Sequence, residues 1–164
     1  MTYRGVQKCL AKGYTPLMTP DLVRDSVLEK CGFQPRMANT QTYSVRDSDL
    51  CLTGTAEVPL GGLYMGKVLE ERQLPVRLAA FGHCFRTEAG AAGMAGKGLY
   101  RVHQFSKVEM FAIATPDQSD ALLDEMMQIE VHLRLQLEGP SHAVFMLDRA
   151  ATAPVAIREA RLPV

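Results

Sequence analysis

The sequence predicts an α+β fold in which helices flank an antiparallel sheet. The apolar stretch at residues 76–85 and the alternating stretch at residues 99–114 predict adjacent strands. Capping signals followed by apolar residues at three- and four-residue spacings predict helices on either side of this pair. With 164 residues, of which 47% are hydrophobic, the chain can bury the core of one ordinary domain.

The first predicted elements are short. Val6 and Leu10 predict a small helix, and Gly13 stands where that helix would end in a left-handed cap. Residues 14–18 then predict a strand. We therefore expect a helix and a strand within the first 18 residues.

A second helix is predicted from a start signal at Thr19 and Pro20, which have the residue types of an N-cap and a first helical position. Gly32 is the expected stop. The apolar positions that favour this helix are Leu22, Val23, Val27 and Leu28.

The middle of the chain alternates turns with short elements. Residues 33–49 are polar and turn-rich, and residues 50–52 predict a short strand. A further helix is expected near Pro59. The loop core at residues 89–98 contains only Ala, Gly, Met and Lys, so we expect it to approach a ligand closely.

The last predicted helix begins with a capping box at Thr115, Pro116 and Gln118. Its apolar residues fall on one face, which predicts packing against another element, such as the sheet. These residues are Leu122, Met126, Ile129, Leu133 and Leu137. Gly139 and Pro140 would end the helix, and the Ala-rich stretch at 141–164 predicts weak order.

Charge and composition exclude several classes of protein. Lys plus Arg and Asp plus Glu number 18 each, which lacks the basic excess of a free-standing nucleic-acid binder. The sequence contains no apolar run of about eighteen residues and no signal-peptide pattern at its start, so we expect a soluble, intracellular protein. The cysteines and histidines lack ligand spacing, and we predict no metal held by protein groups alone.

The stretch from 101 to 111 carries an unusual row of side chains. Period-two alternation places five of them on one face of the predicted strand, namely Arg101, His103, Phe105, Lys107 and Glu109. A solvated outer face would explain such a row on a lone strand. A binding surface is the alternative, because a hairpin would bring Arg86 and Glu88 beside the same row.

A second candidate cluster is Thr55-Ala56-Glu57. In a strand or extended turn, the hydroxyl and the carboxylate would point the same way and could hold an ammonium group. The alternative is that Glu57 only complements the positive end of the following helix, which stabilises by about 0.3–1 kcal/mol.

Taken together, these segments resemble the class II aminoacyl-tRNA synthetases, and specifically the seryl-tRNA synthetases, over roughly residues 1–138. Residues 85–90 followed by 98–110 are similar to motif 2 of that family almost letter for letter. Residues 53–60 are similar to its serine-binding T-A-E segment. Residues 13–20 are similar to the end of motif 1, the dimer contact of the family.

The resemblance implies a role for individual residues. Arg86 would be the catalytic residue, bridging the ATP α-phosphate and the serine carboxylate. The implied ATP-binding residues are Arg86, Thr87, Glu88, Val102 and Phe105, and the implied serine-binding residues are Thr55, Ala56, Glu57, Arg86 and Glu109. A rigid guanidinium suits the catalytic role because it can stabilise two anions that approach each other.

The resemblance also implies a reaction and its participants. Serine would be activated with ATP to seryl-adenylate and transferred to serine tRNA, with Mg²⁺ accompanying the ATP. A homodimer through the motif 1 region, no membrane attachment, and a mitochondrial or cytoplasmic location are implied as well.

Departures from the family pattern divide the chain into a partial catalytic domain at 1–138 and an off-pattern tail at 139–164. Motif 3 and the tRNA-binding helical arm are not found, so we expect a chain truncated before motif 3, an incomplete or inactive fragment. Two alternatives stay open. One is a non-catalytic isoform that binds ATP and serine or dimerises with a full-length subunit. The other is an amino acid:carrier-protein ligase.

Overall fold

The computed structural model describes residues 2–35, 40–88 and 102–138. It comprises two compact units, divided between Ile113 and Ala114. The helices are α1 (Thr2–Ala11), α2 (Asp25–Lys30), α3 (Glu57–Tyr64) and α4 (Pro116–Glu138), with a short 3₁₀ helix at Glu71–Gln73. The strands are β1 (Thr15–Met18), β2 (Leu22–Arg24), β3 (Leu50–Leu52), β4 (Val76–Phe85) and β5 (Gln104–Ile113).

The larger sheet has the strand order β1-β4-β5. β4 and β5 form an antiparallel pair whose register runs from Val76 opposite Ile113 to Phe85 opposite Gln104. The predicted antiparallel pair is therefore confirmed. β1 lies on the other side of β4 and runs parallel to it, a direction that strand patterns alone did not indicate.

The two faces of this sheet are covered by different helices. On one face, a buried cluster joins Ala56 and Leu60 of the α3 segment to Leu78 and Ala80 of β4. On the other face, α1 approaches β5 so closely that a Cβ on Gly5 would lie 3.9 Å from the side chain of Val108. Burial of an aliphatic side chain contributes about 1.5–3 kcal/mol, so α3 and α1 stabilise the sheet from both sides.

The predicted helix at residues 20–31 is wrong in its first half. Residues Leu22–Arg24 form β2, which pairs antiparallel with β3, and α2 begins only at Asp25. The backbone N–H of Thr19 donates to the carbonyl of Phe81 on the larger sheet, so Thr19 does not cap a helix. Sheet pairing and burial of Val23 outweigh the local start signal. The predicted stop is confirmed by Gly32, which has a φ of +86°.

Other predicted boundaries agree with the structure. α1 is followed by Gly13 at a φ of +81°, which is the left-handed geometry expected of its cap. The strand at 50–52 and the strand at 76–85 are both confirmed. Pro59 lies in the first turn of α3, where its missing N–H costs no hydrogen bond.

The later elements are confirmed, α4 with its predicted bounds and β5 with shorter ones. β5 begins at Gln104, whereas its predicted first residues at 99–101 lie outside the described residues. Half of the predicted capping box forms in α4, because the Thr115 N–H donates to Oε1 of Gln118 at 3.2 Å. The loop core at 89–98 and the tail at 139–164 also lie outside the described residues.

Among residues 2–35, 40–88 and 102–138, no helix has the length and apolar character to cross a membrane.

Candidate functional site

The candidate site lies at one end of the β4–β5 hairpin, on the face that α3 covers. Phe105, Lys107 and Glu109 alternate onto this face, opposite Cys84, Gly82 and Ala80 of β4. The side chains of Lys107 and Glu109 are only 32% and 19% exposed. A solvated outer face, one of the two explanations considered for this row, therefore does not hold for Lys107 and Glu109, whereas His103 is exposed.

Thr55, Lys107 and Glu109 form a closed hydrogen-bonded triangle. The Thr55 hydroxyl donates to Oε2 of Glu109 at 2.6 Å, and Nζ of Lys107 donates to the Thr55 hydroxyl oxygen at 2.7 Å. The same Nζ lies 2.7 Å from Oε2 of Glu109. The Ala56 N–H adds a third donor to this oxygen at 3.1 Å. The triangle is thus tied to the backbone at the start of α3.

The segment before α3 is held against the end of β4. The Phe85 N–H donates to the carbonyl of Thr53 at 2.8 Å, and the Thr53 N–H donates to the carbonyl of Asp21 at 2.9 Å. Ala56 already has helical backbone angles, with φ −68° and ψ −19°. The Thr55-Ala56-Glu57 cluster therefore sits at a helix start, and the expected strand or extended turn is corrected.

Glu57 belongs electrostatically to the same cluster. Partial burial, and then repulsion from Glu109, raise the pKa of the Glu57 carboxyl, while the Lys107 ammonium lowers it. Glu57 also occupies the first turn of α3, where a carboxylate complements the helix dipole. Both roles considered for this residue are compatible with its position.

Arg86 lies directly after β4 and reaches back over the site. Its guanidinium carbon is 5.1 Å from the centroid of the Phe105 ring, and its Nε donates to the carbonyl of Gly54 at 3.3 Å. Phe105 and Glu109 share one face of β5 because they are four positions apart in a strand. Arg86 therefore lies on the same side of the sheet as the Thr55–Glu109 pair.

The remaining predicted ATP-binding residues flank the loop that joins β4 to β5. Thr87 turns towards the segment at residues 40–44, where its hydroxyl donates to the carbonyl of Thr40 at 2.7 Å. Glu88 has a φ of +54°, and Val102 is exposed. Their roles in ATP binding stay predictions, and Arg101 lies outside the described residues.

Two contacting groups were not among the predicted site residues. Lys107 was visible in the alternating row, but nothing in the pattern indicated that it would join Thr55 to Glu109. Tyr43 was not singled out at all. Its hydroxyl lies 2.6 Å from Nδ1 of His103, and that nitrogen is 3.1 Å from the carbonyl of Arg86. A contact between residues sixty positions apart leaves no local signal.

The charges of the site suit a ligand that carries both signs. Glu57 and Glu109 offer acceptors for an ammonium group beside the Thr55 hydroxyl, and the Arg86 guanidinium offers donors for a carboxylate or phosphate. Among the described residues, no group of three or more His, Cys, Asp or Glu side chains is placed to hold a metal ion. The arrangement is therefore one for binding and orienting anionic and zwitterionic ligands.

Comparison with known proteins gives consistent matches. A family model described as tRNA synthetase class II core domain (G, H, P, S and T) matches residues 41–154. The serine–tRNA ligase of Rhodopirellula baltica is 53% identical over 140 residues, which cover 85% of this chain and 33% of that protein. That of Rubrobacter xylanophilus is 52% identical over 133 residues, covering 81% and 31%.

Solved structures agree with these matches. The seryl-tRNA synthetase from Pyrococcus horikoshii complexed with ATP matches with a TM-score of 0.72 and 34% identity, over 80% of this chain and 30% of that chain. The cytoplasmic serine–tRNA ligase from Naegleria fowleri in complex with AMP matches with a TM-score of 0.76 and 29% identity, over 83% and 32%. The chain spans about a third of the length of the curated relatives it matches. These matches confirm the predicted fold class and the resemblance to seryl-tRNA synthetases, and the chain belongs to the family of class II tRNA synthetase core domains (G, H, P, S and T).

Proposed function

We propose that this chain takes part in the reaction of a serine–tRNA ligase: activation of serine with ATP to seryl-adenylate, followed by transfer to serine tRNA. The observation that carries this proposal is the placement of Arg86 over Phe105, on the same side of the sheet as Thr55 and Glu109. In that placement, the Arg86 guanidinium, which can bind a phosphate or a carboxylate, lies on the same side of the sheet as groups that can accept hydrogen bonds from an ammonium group. ATP and AMP in the matched structures support the nucleotide.

In the proposed mechanism, Thr55, Glu57 and Glu109 accept hydrogen bonds from the serine ammonium and hydroxyl groups. A serine carboxylate oxygen then forms a bond with the α-phosphorus of ATP, and the bond to the leaving pyrophosphate breaks. Arg86 stabilises both anions as they approach, which a planar guanidinium does through two parallel hydrogen bonds. Selection of serine over alanine follows from polar groups that only a hydroxyl can satisfy.

The remaining residues of the proposed site would bind the nucleotide. The Phe105 ring and the backbone near Val102 hold adenine, while Thr87 and Glu88 line the nucleotide with Arg86. Mg²⁺ would be held mainly by the ATP phosphates, whose charge it offsets, with few protein ligands of its own. The Glu109 carboxylate is already engaged with Thr55 and Lys107, which supports a metal carried in by the nucleotide.

Further partners are proposed from the resemblance. A homodimer would form through residues 13–20. This segment contains β1, one of the two edge strands of the larger sheet, and the 82% exposure of Met18 at its end supports an interface there. Serine tRNA would be the acceptor of the seryl group. The location, mitochondrial or cytoplasmic, stays a prediction.

The test is serine-dependent exchange of pyrophosphate into ATP by the purified chain, because this exchange requires only the activation half-reaction. Arg86→Ala should lower the exchange rate by about 10²–10³, the effect of removing one preorganised transition-state donor. Arg72→Ala, whose side chain is 83% exposed, is the matched control and should exchange like the wild type. Equal rates in wild type and Arg86→Ala would refute the assignment of Arg86.

A second candidate is a non-catalytic chain that binds ATP and serine or pairs with a longer subunit. Binding of serine and ATP without any exchange would select this candidate. Exchange without transfer to serine tRNA would instead favour an amino acid:carrier-protein ligase.

A further inference from the structure

Lys107 occupies the centre of the proposed serine subsite without belonging to the predicted site. Its ammonium touches the Thr55 hydroxyl and Glu109, each at 2.7 Å. Both of these groups are the proposed acceptors for the serine ammonium. The position of Lys107 therefore governs what the subsite can offer to a ligand.

The hydrogen-bond direction within the triangle follows from the chemistry of the ammonium group. Lys107 has donors and no acceptor, so the Thr55 oxygen must accept from it, and the Thr55 hydrogen must point to Oε2 of Glu109. The Ala56 N–H supplies a further donor to the same Oε2. The lone pairs left over on Thr55 and the second oxygen of Glu109 are all acceptors.

The positive charge of Lys107 also favours a subsite of acceptors, because it stabilises the ionised form of the nearby Glu57 carboxyl. Burial, and then repulsion from the Glu109 carboxylate, raise the pKa of the Glu57 carboxyl. Lys107 opposes that rise. The other charged or titratable groups that face the cluster are Arg86 at the end of β4, Cys84 on β4 and Cys31 after α2. With Lys107 in place, the subsite can keep two ionised carboxylates close together.

We propose that Lys107 is a positioning and specificity residue, which orients the Thr55 hydroxyl and balances the Glu57–Glu109 pair so that Thr55 and both carboxylates offer hydrogen-bond acceptors to the ligand. Such a subsite selects ligands that carry donors, namely an ammonium group and a hydroxyl. Lys107 acts through Thr55 and Glu109 and makes no contact with the reacting atoms. This inference rests on the proposed function, since it assumes that serine binds here.

The experiment measures the affinity of the full chain for L-serine and for 3-hydroxypropanoate, which is serine without its ammonium group, by titration calorimetry across a pH series. Lys107→Met removes the charge and the donors at similar length, and Lys107→Arg keeps both. Lys12→Met, at an exposed turn residue, is the matched control. Thermal unfolding of each variant shows whether it folds, and the neutral Lys107→Gln replaces the Met variant if that one does not.

In Lys107→Met, we expect the affinity for L-serine to fall by about ten-fold or more, the effect of losing a charge-assisted network, with a smaller fall for 3-hydroxypropanoate. The loss of serine affinity on acidification should begin at higher pH than in the wild type, because Glu57 protonates more readily without the ammonium. Lys107→Arg should keep most of the preference for serine and the pH profile of the wild type.

Equal weakening of both ligands with an unchanged pH profile, or unchanged serine affinity, would overturn the role of Lys107 and leave the proposed function intact. A wild-type chain that does not prefer serine to 3-hydroxypropanoate would overturn the proposed serine subsite, and this inference with it.

Discussion

The guanidinium of Arg86 stacks over the ring of Phe105, with its central carbon 5.1 Å from the ring centroid. The two residues lie on opposite sides of the loop that joins β4 to β5, so the hairpin itself brings them together. A cation over an aromatic ring contributes about 0.5–2 kcal/mol, more when water is excluded. Phe105 therefore holds Arg86 in place in addition to its proposed contact with adenine.

Replacing Phe105 with leucine should weaken ATP binding by about 5–30-fold, because it removes both the cation–π contact and a stacking surface. Titration calorimetry with ATP measures this change. Phe81→Leu makes the same substitution on the opposite face of the hairpin, where Phe81 pairs with Val108, and should bind ATP like the wild type. Equal losses in the two variants would indicate a general effect of lost aromatic packing.

Thr55 should be sensitive to loss of its hydroxyl and tolerant of loss of its methyl group. Thr55→Val leaves Lys107 and Glu109 without their bridging group, and we expect the free energy of unfolding to fall by about 1–3 kcal/mol, with weaker serine binding. Thr55→Ser keeps the bridge and should stay close to wild type in both respects. Denaturant titration and calorimetry measure these effects, and a Val variant as stable as the Ser variant would contradict the bridge.

Stability should depend on pH through Glu57. Burial and the nearby Glu109 raise the pKa of this carboxyl above its ordinary value of 4.5, although Lys107 acts against them. The folded state then binds the proton more tightly than the unfolded state, so its contribution to stability is present at low pH and is lost as pH rises through the raised pKa.

Glu57→Gln removes this titration. The free energy of unfolding of the Gln variant, relative to wild type, should therefore increase between about pH 4 and about pH 7. Chemical denaturation across this range measures the difference, and Glu57→Asp, which keeps a carboxyl, should retain a wild-type slope. A Gln variant whose advantage shrinks as pH rises would reverse the sign and contradict the assignment.

Gly82 should tolerate no side chain while Thr19 lies beside it. A Cβ at Gly82 would lie 2.2 Å from the Thr19 hydroxyl oxygen, well inside contact distance, while the next atom is 3.6 Å away. Gly82→Ala should therefore lower the free energy of unfolding by about 1–3 kcal/mol, as overpacking does. Adding Thr19→Ala should restore most of the loss in thermal melts. A double variant no more stable than Gly82→Ala would place the strain elsewhere.

Local signals predicted the elements that depend on neighbours in sequence. The caps at Gly13 and Gly32 need only a residue that accepts positive φ, and both are found there. The long strands 76–85 and 104–113 have alternating or continuous apolar residues, a pattern that is typical of strands and differs from the three- and four-residue spacing of an amphipathic helix. By contrast, residues 22–24 have a helix-compatible pattern and become β2 because β3, about 28 residues later, pairs with them.

Local periodicity was enough to predict the α+β class and the hairpin, and long, spaced motifs were enough to predict the family, whereas the ATP- and serine-binding residues that these motifs suggest stay predictions. The folded chain was needed to see that Lys107 joins Thr55 to Glu109 and that Tyr43 reaches His103. Such contacts depend on how distant segments are packed, and an alternating pattern shows which face a side chain takes without showing what lies across from it.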